Sequence, residues 1–143
     1  MQTVERVVVD SNVLFSALLK PHSRFAQTLL SLRYEFHIAD LVLVELFKHK
    51  ERILAGSRLS QDRLTAVFQS YIHRLHVYNI NLLPPEHRRE AVRLCHGVDE
   101  TDAPHVAVAL TLGAPLWTGD RVLRRGLEQR GFTNFFDPPP PSE

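Results

Sequence analysis

The sequence predicts an α/β fold in which helices cover both faces of a parallel sheet. Short apolar runs alternate with longer segments whose apolar residues recur at helical spacing, a pattern typical of strand–helix–strand units. The first run, RVVVD at residues 6–10, is continuously β-branched, as expected for a strand buried on both faces. At 143 residues the chain has the length of one domain and can bury a core without disulfides or structural metals.

Strand and helix signals alternate along the whole chain. Strands are predicted at residues 6–10, 35–39, 75–80, 115–120 and 132–136. Helices are predicted at residues 12–20, 23–33, 41–54, 60–75, 84–96, 102–112 and 121–130. Helix starts are expected at the N-cap residues Asn12, Ser23, Asp40 and Ser60, and helix ends at Gly56 and Gly113. The predicted domain spans residues 1–136, and the proline-rich segment 137–143 is expected to be an extended tail.

Composition narrows the class of protein without naming a partner. The formal net charge is +1, with 17 basic and 16 acidic residues, so charge neither requires nor excludes nucleic acid. The single cysteine, Cys95, excludes an internal disulfide framework and fits a reducing compartment. We see neither an export signal nor an apolar run long enough to span a membrane, and we expect a cytoplasmic protein.

Acidic residues follow the predicted strands or begin the helices after them. Asp10 follows the first strand, Asp120 follows the fourth, and Asp102 begins a helix three residues after Asp99. Right-handed crossovers bring the carboxyl ends of parallel strands to one edge, so these acids are expected to approach one another. Glu45 would reach them from the helix after the second strand, where large apolar neighbours in LVLVELF place it beside a buried stripe.

Each acid also has an ordinary structural explanation. Asp10 and Asp102 could cap helices, Asp120 could close a turn with Gly119, and Glu45 could face solvent. The four positions together are harder to explain in this way. Clustered carboxylates repel one another and therefore imply raised pKa values or bound divalent cations. Oxygen ligands suit Mg²⁺ or Mn²⁺, which indicates metal-assisted phosphodiester hydrolysis.

Four sequence blocks, in order, resemble those of PIN-domain ribonucleases. They are VVVDSNVLFSALL, the acid within LVLVELFKH, DETDAPHVAVAL and LWTGD, and the resemblance covers about residues 4–136. It implies a Rossmann-like, three-layer α/β/α sandwich with a five-stranded parallel sheet. It also implies an Mg²⁺- or Mn²⁺-dependent endoribonuclease, often the toxin of a VapBC-type toxin–antitoxin pair.

The resemblance assigns roles one residue at a time. Asp10, Glu45, Asp102 and Asp120 match the family's catalytic, metal-binding acids. Asn12 and Thr118 match small polar positions that orient these acids, and Asp99 is a further acid near the metal or a surface residue. The chain departs from many toxins at Asp40, where a Ser or Thr cap is commoner, and at Arg124, where a further acid is common.

Basic and apolar residues suggest partners. Arg121, Arg124 and Arg125 begin beside Asp120 and form either a solvated face or a contact for RNA phosphates. A set of apolar residues could be core, a homodimer surface or a groove for an antitoxin helix: Val13, Leu14, Phe15, Leu18, Leu19, Phe25, Leu29 and Leu30.

Two other functions remain open at this point. One is a binding or regulatory module that keeps the fold without turnover. The other is a phosphoryl-transfer enzyme with Asp10 as nucleophile, which is disfavoured because Asn12 stands where such a site would need a second aspartate. The leading hypothesis is a metal-dependent endoribonuclease.

Overall fold

A computed structural model describes residues 4–139 and has a four-stranded parallel sheet at its centre. The strands are β1 (Glu5–Val9), β2 (Tyr34–Ala39), β3 (Leu75–Tyr78) and β4 (Leu116–Trp117). Their spatial order is β3-β2-β1-β4, and every pairing is parallel. The predicted α/β class with a parallel sheet is therefore confirmed.

The predicted fifth strand, residues 132–136, is reduced to a single bridge, and the prediction of five strands was wrong. Phe135 bridges Leu116 in parallel, and the backbone of Leu116 bonds to Asn134 and Phe136. The pairing is short because β4 itself has only two residues before the chain turns toward Asp120. Phe136 instead packs its ring edge-on against Trp117, with ring centroids 5.3 Å apart.

Helices connect the strands throughout the described residues. They are α1 (Ser11–Leu19), α2 (Arg24–Leu29), α3 (Leu41–Lys48), α4 (Lys50–Ser57), α5 (Gln61–Ile72), α6 (Pro85–Cys95), α7 (Ala103–Leu112) and α8 (Arg121–Gln129). Short 3₁₀ turns lie at Ile80–Leu82 and Glu100–Asp102. None of the helices within residues 4–139 is long and apolar enough to cross a lipid bilayer.

The single helix predicted for residues 41–54 is two helices that meet at His49. The second ends at Arg58, whose φ of 61° is left-handed, and not at Gly56 as predicted. Gly56 is needed for close packing instead, because a Cβ there would lie 2.6 Å from Leu19 Cδ2. The Gly113 end was predicted correctly, with a φ of 62°.

Two apolar cores, one on each face of the sheet, complete three layers. Helices α1 to α5 pack on the face that carries Val7, Val9 and Phe36. Helices α6 to α8 pack on the opposite face against Val8 and Leu116. Most of the apolar set in α1 and α2 belongs to the first core, since Val13, Leu14, Leu18 and Leu29 are buried, whereas Leu30 is 46% exposed.

The start of the predicted tail is bonded to the domain. Asp137 pairs with Arg124, and the carbonyl of Pro138 accepts a hydrogen bond of 2.7 Å from Arg24. The rest of that segment, residues 140–143, lies outside the described residues.

Candidate metal centre

The carboxyl ends of β1 and β4 place Asp10 beside Thr118. Val9 pairs with Trp117, and the Asp10 amide donates to the Trp117 carbonyl at 3.2 Å. The next polar residue of each strand end therefore projects from the same edge. This is the edge at which parallel α/β sheets bind ligands.

Asp10 caps α1 and also leaves one carboxylate oxygen free. Its backbone is extended, and Oδ1 accepts a hydrogen bond of 3.1 Å from the Val13 amide. The prediction that Asn12 caps this helix was wrong, because Asn12 lies in the first turn with its side chain exposed. Asp10 is 1% exposed, yet its Oδ2 has no hydrogen-bond partner among the described residues.

The electrostatics of Asp10 reflect that burial. Burial raises its pKa to about 6, while the nearby Thr118 hydroxyl and the Val13 amide act in the opposite direction. The charge of Asp120 raises the pKa further. A buried, unpartnered carboxylate oxygen costs free energy unless a cation or proton meets it.

Three further aspartates converge at this edge. Asp99, Asp102 and Asp120 each offer a carboxylate oxygen, and these oxygens lie within 4.8 Å of one another. Asp99 accepts hydrogen bonds from the Thr101 amide and hydroxyl, and these hold its pKa below the ordinary value. Asp120 caps α8 through the amides of Val122 and Leu123, so both neighbours have fixed orientations.

Asp102 belongs to this group and has the largest pKa shift among its members. Burial, together with the charges of Asp99, Asp10 and Asp120, raises its pKa to about 8. Its side chain makes no capping hydrogen bond to α7, so capping does not explain its presence. Without a cation, Asp102 is therefore mostly protonated at neutral pH.

Glu45 lies outside the three-aspartate group but is linked to it through two side chains. The Ser11 hydroxyl donates to Glu45 Oε2 at 2.8 Å, and its oxygen lies 3.4 Å from His105 Nε2. His105 Nε2 is also 3.7 Å from Asp102 Oδ1. A chain of polar groups thus runs from α3 through α1 to α7.

These contacts assign the tautomer of His105. Burial lowers its pKa to about 4, so the ring is neutral and carries one proton at neutral pH. Because the only proton of the Ser11 hydroxyl goes to Glu45, His105 Nε2 must be the donor toward Ser11 and Asp102. Nδ1 is then an acceptor, which agrees with its lack of a partner.

Sequence reasoning named Glu45 and Asp102 but not the Ser11 bridge. The signal was the serine directly after Asp10, which points toward α3 because it occupies the first turn of α1.

The three arginines of α8 differ in their surroundings. Arg124 is bound bidentately to Asp137 at 2.7 and 3.0 Å, and its guanidinium lies 4.7 Å from the centroid of the Phe135 ring. Arg121 and Arg125 are exposed. Arg124 thus holds the C-terminal segment on the domain, which leaves its two neighbours freer to meet a ligand.

The donor set fits a hard divalent cation. Asp99, Asp102 and Asp120 offer carboxylate oxygens within 4.8 Å of one another, and Asp10, outside that group, adds a buried oxygen with no hydrogen-bond partner among residues 4–139. A bound cation would stabilise the ionised forms of Asp10 and Asp102, whose pKa values are raised. Thr118 adds a hydroxyl whose oxygen accepts a hydrogen bond of 3.1 Å from the Asp120 amide.

Comparison with known proteins decides the family. The family model of the PIN domain matches residues 8–134, which is most of the chain. The chain belongs to the PIN-domain family. PIN domains are generally metal-dependent nucleases, and the acidic edge described above is consistent with that class. The resemblance inferred from the four sequence blocks is thus confirmed.

A solved structure supports the same fold. The crystal structure of PAE2754 from Pyrobaculum aerophilum superposes with a TM-score of 0.61 at 21% sequence identity. The match covers 89% of this PIN domain's chain and 86% of the other chain. A comparison with curated proteins gives no significant match.

Proposed function

We propose that this PIN domain is a metal-dependent endoribonuclease, with Mg²⁺ or Mn²⁺ as its cofactor. The observation that carries the proposal is the buried Oδ2 of Asp10, which has no hydrogen-bond partner within residues 4–139 and lies at the edge where Asp102 and Asp120 converge. Asp10, Asp102 and Asp120 would hold the ion, and Glu45 would approach from α3. A divalent ion there generates a nucleophile from water at neutral pH and stabilises charge developing on a phosphate.

The other residues of the site orient these ligands. Thr118 fixes the Asp120 backbone, and Asp99 adds a carboxylate beside Asp102. Asn12 stands exposed at the mouth of the site, with an amide that can meet substrate or water. Arg121 and Arg125 would contact the RNA backbone, because phosphate contacts position a nucleic acid without reading its sequence.

Burial of Asp10 argues against the alternative of a phosphorylated aspartate. The side chain is 1% exposed, and one of its oxygens caps α1. A bare divalent ion is smaller than a water molecule and can approach the free oxygen. A phosphoryl group is larger, and the residues that bury Oδ2 would have to move to admit it.

Metal-dependent cleavage of RNA tests the proposal. Wild-type protein, incubated with a panel of single-stranded and structured RNAs, should cleave at least one RNA with Mn²⁺ or Mg²⁺ and none with EDTA. DNA oligonucleotides of the same sequences show whether the activity requires RNA. Metal binding without cleavage of any RNA or DNA would instead indicate a PIN-fold binding module without turnover.

We further propose a small antitoxin as partner, bound in an apolar cavity of about 270 Å³ between α3, α4 and α5. Its lining includes Leu43, Phe47, Ile53 and Phe68, and Phe47 is 79% exposed. An amphipathic helix fits such a groove through apolar residues at i, i+3 and i+4 spacing. A short upstream reading frame for a DNA-binding protein would support the toxin role, and its absence would remove that role.

The same cavity could receive a second copy of the chain, which is our proposal for the free protein. Size-exclusion chromatography with light scattering should give a dimer that Phe47→Asp converts to a monomer. An unchanged mass would contradict this proposal.

The Ser11 bridge gives a prediction that does not depend on turnover. Ser11→Ala removes the donor that holds Glu45, and we expect Mn²⁺ affinity to fall roughly tenfold, the lower end for groups that orient metal ligands. Isothermal titration with MnCl₂ measures the change, and Ser11→Thr should restore most of the affinity. Ser70→Ala, at an exposed position of α5 and away from the acidic edge, is the control. Equal affinities for the two alanine variants would show that Ser11 does not position Glu45.

A further inference from the structure

A small polar cavity lies beside Glu45, between the start of α1 and the junction of α3 and α4. It has a volume of about 130 Å³, and its lining includes Ser11, Asn12, Phe15, Glu45, His49 and Arg52. Ser11, Asn12 and Glu45 already have roles at the proposed metal centre. Neither His49 nor Arg52 has a role in it, and both are cations or potential cations next to a carboxylate.

Arg52 is exposed and packs against an aromatic ring without being neutralised. Its guanidinium lies 5.4 Å from the centroid of the Phe15 ring, and the His49 ring meets the same aromatic ring edge-on at 5.8 Å. Among residues 4–139, the Arg52 side chain has no ion pair and no hydrogen bond, and no carboxylate oxygen of Glu45 lies within 4.0 Å of it. Its donors are therefore free to meet a ligand while the guanidinium lies against the Phe15 ring.

The chemistry of this arrangement selects an oxyanion. A guanidinium presents planar, paired donors that match two oxygens of a phosphate, and stacking on an aromatic ring reduces the entropy lost on binding. Lys48 and Lys50 stand on either side of His49 in the chain, and both are exposed, so they add positive charge at the junction of α3 and α4. A phosphate bound here would lie near the Glu45 carboxylate, whose Oε2 already accepts a hydrogen bond of 2.8 Å from the Ser11 hydroxyl.

The cavity adjoins a second one that reaches the acidic edge. A larger cavity, of about 400 Å³, shares Asn12 and Phe15 with it and extends to Gly119 and Asp120. Arg121 begins α8 directly after Asp120. A strand of nucleic acid could therefore pass from Arg52 across the acids to Arg121 with phosphates near cations on both sides.

We infer that the cavity formed by Phe15, His49 and Arg52 binds a phosphate group of the RNA strand other than the phosphate at the acidic edge. This inference rests on the proposed function for the identity of the ligand. The site itself is a phosphodiester subsite, in which Arg52 supplies the paired donors and Phe15 fixes their plane.

Binding without cleavage tests the subsite. Full-length protein carrying Asp10→Asn is titrated, in EDTA, into a fluorescein-labelled single-stranded oligouridylate, and anisotropy is followed at several salt concentrations. Arg52→Gln should weaken binding about tenfold and reduce the salt slope by about one, as expected for one lost phosphate contact. Arg52→Lys keeps the charge but not the planar pair of donors. Its affinity for the oligouridylate should lie between those of the protein with Arg52 and the Arg52→Gln variant.

Arg33 provides the matched control. Its guanidinium also lies over an aromatic ring, 5.7 Å from the centroid of Tyr34, but at the opposite end of the sheet. Arg33→Gln should therefore leave affinity and salt slope unchanged. If Arg52→Gln and Arg33→Gln behave alike, or if the oligouridylate does not bind at low salt, the subsite is refuted. Because no cleavage is measured, these results are separate from the test of nuclease activity.

Discussion

Asp10→Asn is expected to abolish RNA cleavage and leave the fold intact. The substitution removes the charge of the one carboxylate whose free oxygen is buried at the acidic edge. Loss of several kcal/mol of metal-dependent stabilisation corresponds to a decrease of roughly 10³-fold or more in rate. Asparagine caps helices as well as aspartate does, so the contact to the Val13 amide can persist.

Initial rates with a fluorogenic RNA, measured in Mn²⁺, give the size of this effect, and circular dichroism verifies the fold. Asp62→Asn, in the first turn of α5, is the control because Asp62 is exposed and outside the acidic edge. Wild-type rates in the Asp10→Asn protein would remove Asp10 from the catalytic machinery.

The second large effect is a loss of stability with rising pH in the metal-free protein. The pKa of Asp102 is about 8 in the folded state, whereas that of an ordinary aspartate is 3.8. Above pH 6.5 the unfolded carboxyl is ionised while the folded one still holds its proton, so unfolding releases a proton and stability falls as pH rises. Between about pH 6.5 and 8 the loss is on the order of 1.5 kcal/mol.

This pH range distinguishes Asp102 from the other groups of the site whose pKa values are shifted. The folded-state pKa of Asp10 is about 6, so its effect lowers stability with rising pH mainly below pH 6. That of His105 is about 4, against 6.5 when unfolded, so its effect raises stability mainly between those two values. Mn²⁺ stabilises the ionised carboxyl, so it should raise the melting temperature more at pH 8 than at pH 6.5. Urea unfolding at the two pH values measures the loss. Asp102→Asn should abolish this loss of stability. If wild type and Asp102→Asn lose the same free energy of unfolding between the two pH values, the pKa shift assigned to Asp102 is contradicted.

Much of the site follows from chain topology and was predictable. A β-branched run followed by an acid, and a helical acid before β4, place Asp10, Asp102 and Asp120 at one edge because right-handed crossovers align the strand ends. The family was also evident from its four blocks. Such arguments depend on backbone path, which periodicity and turn residues determine.

What the sequence did not reveal depends on side-chain geometry. An aspartate at a strand end can cap a helix with one oxygen and keep the other free, so capping and metal binding were not exclusive at Asp10. Asp99 joins Asp102 because a single 3₁₀ turn separates them. Arg124 is bound by Asp137, a pairing between residues 13 positions apart that no local pattern indicates.

Helix and strand ends were the least predictable features. The break at His49 interrupts a sequence with continuous helical periodicity, and it is this break that turns Arg52 toward Phe15. The prediction of a fifth strand was wrong for a related reason. Its partner β4 is only two residues long, a consequence of the turn that brings Asp120 to the site.

The position of a bound cation tests the central claim most directly. Crystals of the wild-type protein soaked in MnCl₂ and measured at the manganese edge should give an anomalous peak bounded by Asp10 Oδ2 and the carboxylates of Asp102 and Asp120. Mn²⁺–oxygen distances close to 2.2 Å are expected for such ligands. A crystal with no peak at this edge, or with manganese bound only elsewhere, would contradict the assignment of these aspartates as a metal centre.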